Sequence, residues 1–192
     1  MSKRRMKPRI GSVFLVSMLI AGPPLLDASG QELEPVVDPD AYAVYASILP
    51  AVWPSSDGAL LLQRETEGIR AITTCLFGDD DWSGVEANFK RANETTRLLQ
   101  ARLPLASPYR LIAHADIAAD DKRLALKYPG IWQRRPESME FAAVSSVGFD
   151  ETKTRALVYV RLRSEGKLYA LELSDGHWVR AKRVKGCSGW IV

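Results

Sequence analysis

Apolar residues are arranged differently in three parts of the chain. Residues 1–12 are polar and basic, and Val13-Phe14-Leu15-Val16-Ser17-Met18-Leu19-Ile20-Ala21 is an apolar run too short to span a bilayer. From residue 38 the spacing turns helical. Asp38 is an N-cap with Pro39 at the first helical position, and Tyr42, Tyr45 and Leu49 recur on one face until Pro50 and Pro54 end the helix. Leu60-Leu61-Leu62 running into Gln63-Arg64-Glu65-Thr66 reads as a strand. Ser83-Gly84-Val85-Glu86 has the form of a capping box, with Val85, Phe89, Ala92, Thr96 and Leu99 following along one helical face. A strand is expected around 109–113 and a short helix near 117–127.

Beyond residue 139 the period becomes two. Strands are expected at 139–147, 155–163, 168–173 and 178–184, with Ala156, Val158, Val160 and Leu162 alternating against Arg155, Arg161 and Arg163. The turns between them are Gly148-Phe149-Asp150-Glu151, Ser164-Glu165-Gly166-Lys167 and Ser174-Asp175-Gly176-His177. The expected class is α+β, with N-terminal helices packed on a C-terminal antiparallel meander of about four strands.

The C-terminal motifs also carry a resemblance. Ser145-Ser146-Val147-Gly148-Phe149-Asp150, then Arg155-Ala156-Leu157-Val158-Tyr159-Val160, then Gly176-His177-Trp178-Val179 resemble a family of uncharacterised exported bacterial proteins. That family shares an S-x-V-G-F-(N or D) turn, an A-L-V-Y-V strand and a G-x-W-x-V strand. Tyr42-Ala43-Val44-Tyr45, Phe89, Asn93 and Tyr128-Pro129-Gly130 fall where its members have similar residues, so the likeness covers most of 37–184. Its members often carry a longer glycine-containing loop where this chain has only Ser164-Glu165-Gly166-Lys167. The resemblance implies an exported fold of this hairpin kind and no particular chemistry.

Charge becomes informative once the N-terminal segment is set apart. Lys3, Arg4, Arg5, Lys7 and Arg9 account for five of the 26 basic residues and Asp27 for one of the 23 acidic ones. Residues 31–192 therefore carry a net charge of −1, without the basic footprint that nucleic acid or an anionic membrane selects. Gly22-Pro23-Pro24 breaks any helix, and Ala28-Ser29-Gly30 supplies small residues for cleavage before Gln31. Residues 1–30 read as a signal peptide and 31–192 as a single α+β domain. The expected localisation is secreted or periplasmic, with no stable membrane anchor after cleavage. Arg4-Arg5 lacks the hydrophobic pair that follows in a twin-arginine signal, which favours general secretion. In an oxidising compartment Cys75 and Cys187, 112 positions apart, are expected to form one disulfide, the alternative being two buried thiols.

Catalytic motifs for metalloproteases, serine hydrolases, nucleotide-binding loops and dinucleotide folds are missing, and no cofactor or metal is expected. Asp79, Asp81 and Ser83 before Gly84 match the first half of a calcium loop, but Lys90 stands where the bidentate Glu belongs. Those acidic residues are instead expected to favour a helix N-terminus. His114 and His177 are expected to be packed or solvated, and Asp116 to cap a helix. Trp53, Trp82, Trp132, Trp178 and Trp190, with Tyr109, Tyr128 and Tyr169, fit core and turn anchors better than a ligand cleft. Arg134-Arg135 beside Trp132, and Arg180, Lys182, Arg183 and Lys185, form a basic stripe that suits the solvated side of an edge strand. The favoured function is a non-catalytic binding or interaction module of the cell envelope, taking an envelope protein or a small ligand. The alternative is a small secreted hydrolase using carboxylates such as Asp116, Asp120 or Glu140.

One intact-mass measurement of the exported protein checks both processing expectations. The mass should correspond to a chain beginning at or near Gln31 and lacking the two hydrogens of a dithiol; retention of residues 1–30 would refute export, and a fully reduced mass would refute the disulfide.

Overall fold

The computed structural model of the chain describes residues 32–53, 60–68, 82–118, 141–162 and 165–181. The elements, in order, are helix α1 (Pro39–Val52), strand β1 (Leu60–Gln63), helix α2 (Ser83–Ala92), strand β2 (Tyr109–Ile112) and short helix α3 (His114–Ala118). Then follow strands β3 (Phe141–Val144), β4 (Gly148–Phe149), β5 (Arg155–Leu162), β6 (Glu165–Ser174) and β7 (His177–Arg180).

The architecture expected from the sequence does not form. All seven strands join one mixed sheet in the order β2-β1-β3-β5-β6-β7, with β4 also against β5, and the described residues contain three helices. β2, β1 and β3 run parallel, whereas β3, β5, β6 and β7 are antiparallel. The α+β reading of N-terminal helices on a four-stranded meander failed because it had no means to extend the sheet past β3. Leu60, Leu61, Leu62 and Gln63 are all buried, as in a strand covered on both faces between parallel neighbours. Parallel pairing joins residues far apart in sequence, so no turn between hairpin strands announces it.

Alternation along β5 divides the core in two. Ala156, Val158 and Val160 face α1 with Leu60, Leu62, Ala142, Val144 and Leu171, while Leu157 and Tyr159 face α2 with Trp82, Val85 and Phe89. On α1 the buried set Ala41, Tyr42, Val44, Tyr45, Ile48 and Leu49 is the i, i+3, i+4, i+7 stripe of a core-facing helix. The Asp38 carboxylate accepts from the Asp40 N–H at 3.0 Å and caps α1 as expected. The helix runs past Pro50 to Val52, because a proline in the last turn forfeits one hydrogen bond while Trp53 N–H still reaches the Leu49 carbonyl at 2.9 Å.

Helix α2 departs from its expected form at both ends. Trp82 holds the cap position and Ser83 is already helical, so Ser83 is not the cap. The helix stops at Ala92, and Thr96 and Leu99 belong to an extended segment in which Leu98 bridges both Pro35 and Glu65.

Between β3 and β4 the pairing with β5 shifts by one residue. Val144 faces Val160 and Gly148 faces Leu157, so residues 145–147 stand against only 158 and 159. This is a β-bulge, and it turns Gly148 toward α2 and Phe149 toward the α1 side. A Cβ at Gly148 would overlap the backbone of Phe89, so α2 can lie this close only over glycine. Asn88 Nδ2 donates to the Phe149 carbonyl at 2.8 Å and holds the same contact. Phe149 in turn meets Trp178, with ring centroids 5.6 Å apart.

Two turns follow from local chemistry. Asp150 accepts from the N–H groups of Thr154 and Arg155 at 2.7 and 3.0 Å. Burial pushes its carboxyl up, but these bonds and the hydroxyls of Thr152 and Thr154 outweigh that and hold it below the usual value, so the turn's acceptor stays ionised. Asp175 and Gly176, with φ of 50° and 77°, make the two-residue turn between β6 and β7. Gly166 was expected in a turn but lies inside β6, opposite Arg161, where a Cβ would strike the Tyr159 ring.

Gly148→Ala is expected to lower stability by about 3 kcal/mol, at the upper end of overpacking costs, because α2 must move away from the sheet. Chemical denaturation of the purified variant measures this; a loss under about 0.5 kcal/mol would show that the helix is free to shift.

Candidate functional site

Polar side chains gather where the chain leaves the carboxyl ends of the parallel strands. Gln63 is buried at the end of β1; its Nε2 donates to the Glu65 carbonyl at 2.9 Å, and its Oε1 lies 3.2 Å from His114 Nδ1. With the amide NH2 spent on a carbonyl, the oxygen faces the ring. The neutral imidazole therefore carries its proton on Nδ1 and keeps Nε2 as the acceptor. The Glu65 carboxylate accepts from the His114 backbone N–H at 2.7 Å and lies 3.4 Å from Arg64 Nη2. Glu67 follows. Both of its oxygens accept from Arg161 Nε, at 2.6 and 2.8 Å, while its own N–H donates to the Val144 carbonyl at 2.8 Å.

A second polar cluster lies in the bulge. Ser145 N–H donates to the Tyr159 carbonyl and Tyr159 N–H donates to Ser145 Oγ, both at 2.9 Å. The Ser145 carbonyl accepts from the Tyr45 hydroxyl at 2.8 Å. Complete burial pushes the Tyr45 phenol far above its ordinary value, so it is a fixed donor. Asn93 binds both backbone groups of Ser146: Oδ1 accepts its N–H at 2.9 Å and Nδ2 donates to its carbonyl at 3.0 Å. Nδ2 also reaches back to the Phe89 carbonyl at 2.8 Å and closes the end of α2.

The third feature is a pair of arginines with unmet donors. Leu99 N–H donates to the Arg64 carbonyl and Thr66 N–H to the Arg97 carbonyl, each at 2.8 Å, around the antiparallel bridge of Glu65 with Leu98. In that register Arg64 stands opposite Leu99 and Arg97 opposite Thr66, so the two arginines are diagonal neighbours on one side of the pairing. The Nε of each is buried and has no hydrogen-bond partner among the described residues, which ordinarily costs about 1–3 kcal/mol per group.

The residues singled out from the sequence fare unevenly. His114 and Asp116 lie on α3 beside this polar end, and His177 is exposed at the start of β7. Asp120, Glu140, Asp79 and Asp81 lie outside the described residues, as do Cys75 and Cys187. Trp53, Tyr109, Tyr169 and Trp178 pack against the main core and Trp82 against the second cluster, so these five are packing residues. Arg180 stacks over the Tyr169 ring at 4.8 Å. Trp132, Trp190, Tyr128, Arg134, Arg135, Lys182, Arg183 and Lys185 fall outside the described residues. Among the described residues, no three of His, Cys, Asp and Glu form a group that could hold a metal ion, and no helix is long and apolar enough to cross a membrane.

Sequence reasoning missed Gln63, Glu65, Asn93 and the Arg64–Arg97 pair. The one available signal was Gln63, a polar residue continuing an otherwise apolar strand. No known protein family, curated protein or solved structure matches this chain.

The His114 geometry is open to direct measurement. Nitrogen-15 NMR of the neutral ring should show the Nδ1–H form predominating, and Gln63→Leu should return it toward the Nε2–H form that free imidazole side chains favour; an Nε2–H ring in the parent protein would refute the assignment.

Proposed function

We propose that the protein is an exported, non-catalytic binding module of the cell envelope, and that it uses the carboxyl end of β1 to hold its ligand. One asymmetry among the described side chains carries this reading. The carboxylates at that end, Glu65 and Glu67, already accept from donors within the fold, whereas the Nε–H groups of Arg64 and Arg97 have no acceptor. An acid–base hydrolase needs a carboxyl group available to exchange a proton with its substrate. A binding site needs unmet donors or acceptors that a ligand completes. The cluster supports the second requirement. Of the carboxylates named for the hydrolase alternative, Asp116 lies on α3, and Asp120 and Glu140 lie outside the described residues.

Native mass spectrometry of the protein, purified from the envelope without unfolding, tests the reading. The expected result is a bound molecule that leaves chemically unchanged on denaturation, together with no turnover of glycoside, ester or peptide substrates. Turnover that disappears in Asp116→Asn would overturn the proposal, and so would a protein that emerges free of ligand and takes up nothing from envelope extract.

A further inference from the structure

We propose that Arg64 and Arg97 together bind a phosphate group carrying two negative charges, as a phosphomonoester or as inorganic phosphate. The inference rests on the binding-module reading and names its ligand class. Three observations support it. The first is the pair of buried Nε–H groups, unpartnered among the described residues and carried on side chains that are themselves partly exposed. The second is the register around Glu65 and Leu98, which sets both arginines on one side of the pairing as diagonal neighbours.

The third is position. From β1 the chain crosses to β2 on one side, and from β3 it continues to β5 on the other. The carboxyl ends of β1 and β3 therefore flank the point where the strand order reverses, which is where open sheets with parallel strands form their ligand crevice. Arg64 directly follows β1, and Glu67 N–H closes on the last carbonyl of β3.

The choice of phosphate follows from donor count and charge. One guanidinium edge, Nε with one Nη, satisfies both oxygens of a carboxylate. Two such edges exceed a carboxylate and match a tetrahedral dianion with three terminal oxygens. Each arginine is only partly exposed, which lowers the competition from water. Among the described residues Arg64 pairs with the Glu65 carboxylate at 3.4 Å, a long contact that a phosphate oxygen would displace.

The test is calorimetric titration of the full exported protein with inorganic phosphate, glycerol phosphate and acetate, in parallel with thermal unfolding. Phosphate or glycerol phosphate should bind and raise the melting temperature, and acetate should bind at least about tenfold more weakly. Stronger binding of glycerol phosphate would identify a phosphomonoester as the ligand, and stronger binding of phosphate the free ion. Arg97→Lys keeps the charge and most of the stem but lacks Nε–H; relieved of that unmet donor, it should fold with a ligand-free melting temperature at or above the parent's and lose at least about tenfold in affinity. Arg64→Lys should behave likewise. If Arg97→Lys does not fold, the Arg64 variant alone decides.

Absence of phosphate binding, equal binding of acetate, or full affinity in the lysine variants would each overturn the proposal. Loss of the phosphate reading leaves the module reading standing if native mass spectrometry still finds an unchanged bound molecule. Turnover dependent on Asp116 would remove the module reading instead.

Discussion

A β-bulge strands backbone groups that cannot pair across the sheet, and inside a core each one costs about as much as a lost hydrogen bond unless a side chain takes it up. In this protein the extra residue at 145–147 lies within the buried part of the sheet, and three side chains make it tolerable. The Ser145 hydroxyl replaces the carbonyl that Tyr159 N–H would otherwise find, Tyr45 donates to the freed Ser145 carbonyl, and the Asn93 amide matches both groups of Ser146. Tyr45 belongs to α1 and Asn93 ends α2, so the bonds that satisfy the bulge also set each helix on its own face of the sheet.

The bulge accounts for the motif that runs from Ser145 to Asp150. Ser145 is the hydroxyl that repairs the ladder, Val147 packs in the α1 core, Gly148 lets α2 approach, and Asp150 gathers the next turn. Each of these residues has a folding duty. The motif therefore speaks to architecture, and the chemistry has to be sought at the other strand ends.

Parallel pairing decides where that search leads. Bringing β1, β2 and β3 side by side collects at one edge the residues that follow them in sequence, among them Gln63, Glu65, Glu67 and His114. The carboxylates in that group are consumed in holding the strand ends and α3 together. The Nε–H groups of Arg64 and Arg97 find no acceptor among the described residues, and the binding proposal grows from that imbalance.

How much of this was legible in the sequence can be followed residue by residue. The cap at Asp38, the apolar stripe of α1, the Asp175–Gly176 turn and the alternation along β5 were all readable, because each depends on residues a few positions apart. The ends of α2, the place of Gly166 within β6 and the whole parallel half of the sheet were not. Ser83 and Glu86 matched a capping box, yet the helix starts at Ser83 itself and the cap position falls on Trp82. Leu60–Leu62 was recognisable as a strand, as were strands around 109–113 and at 139–147, but nothing showed that the last two would flank the first. The Arg64–Arg97 pair, 33 positions apart, had no local signature at all. The sequence by itself determined the short-range geometry, since backbone dihedrals, caps and turns are set by adjacent side chains. Only the tertiary structure decided strand order, the bulge and the grouping of polar ends, because those depend on which distant surfaces exclude water together.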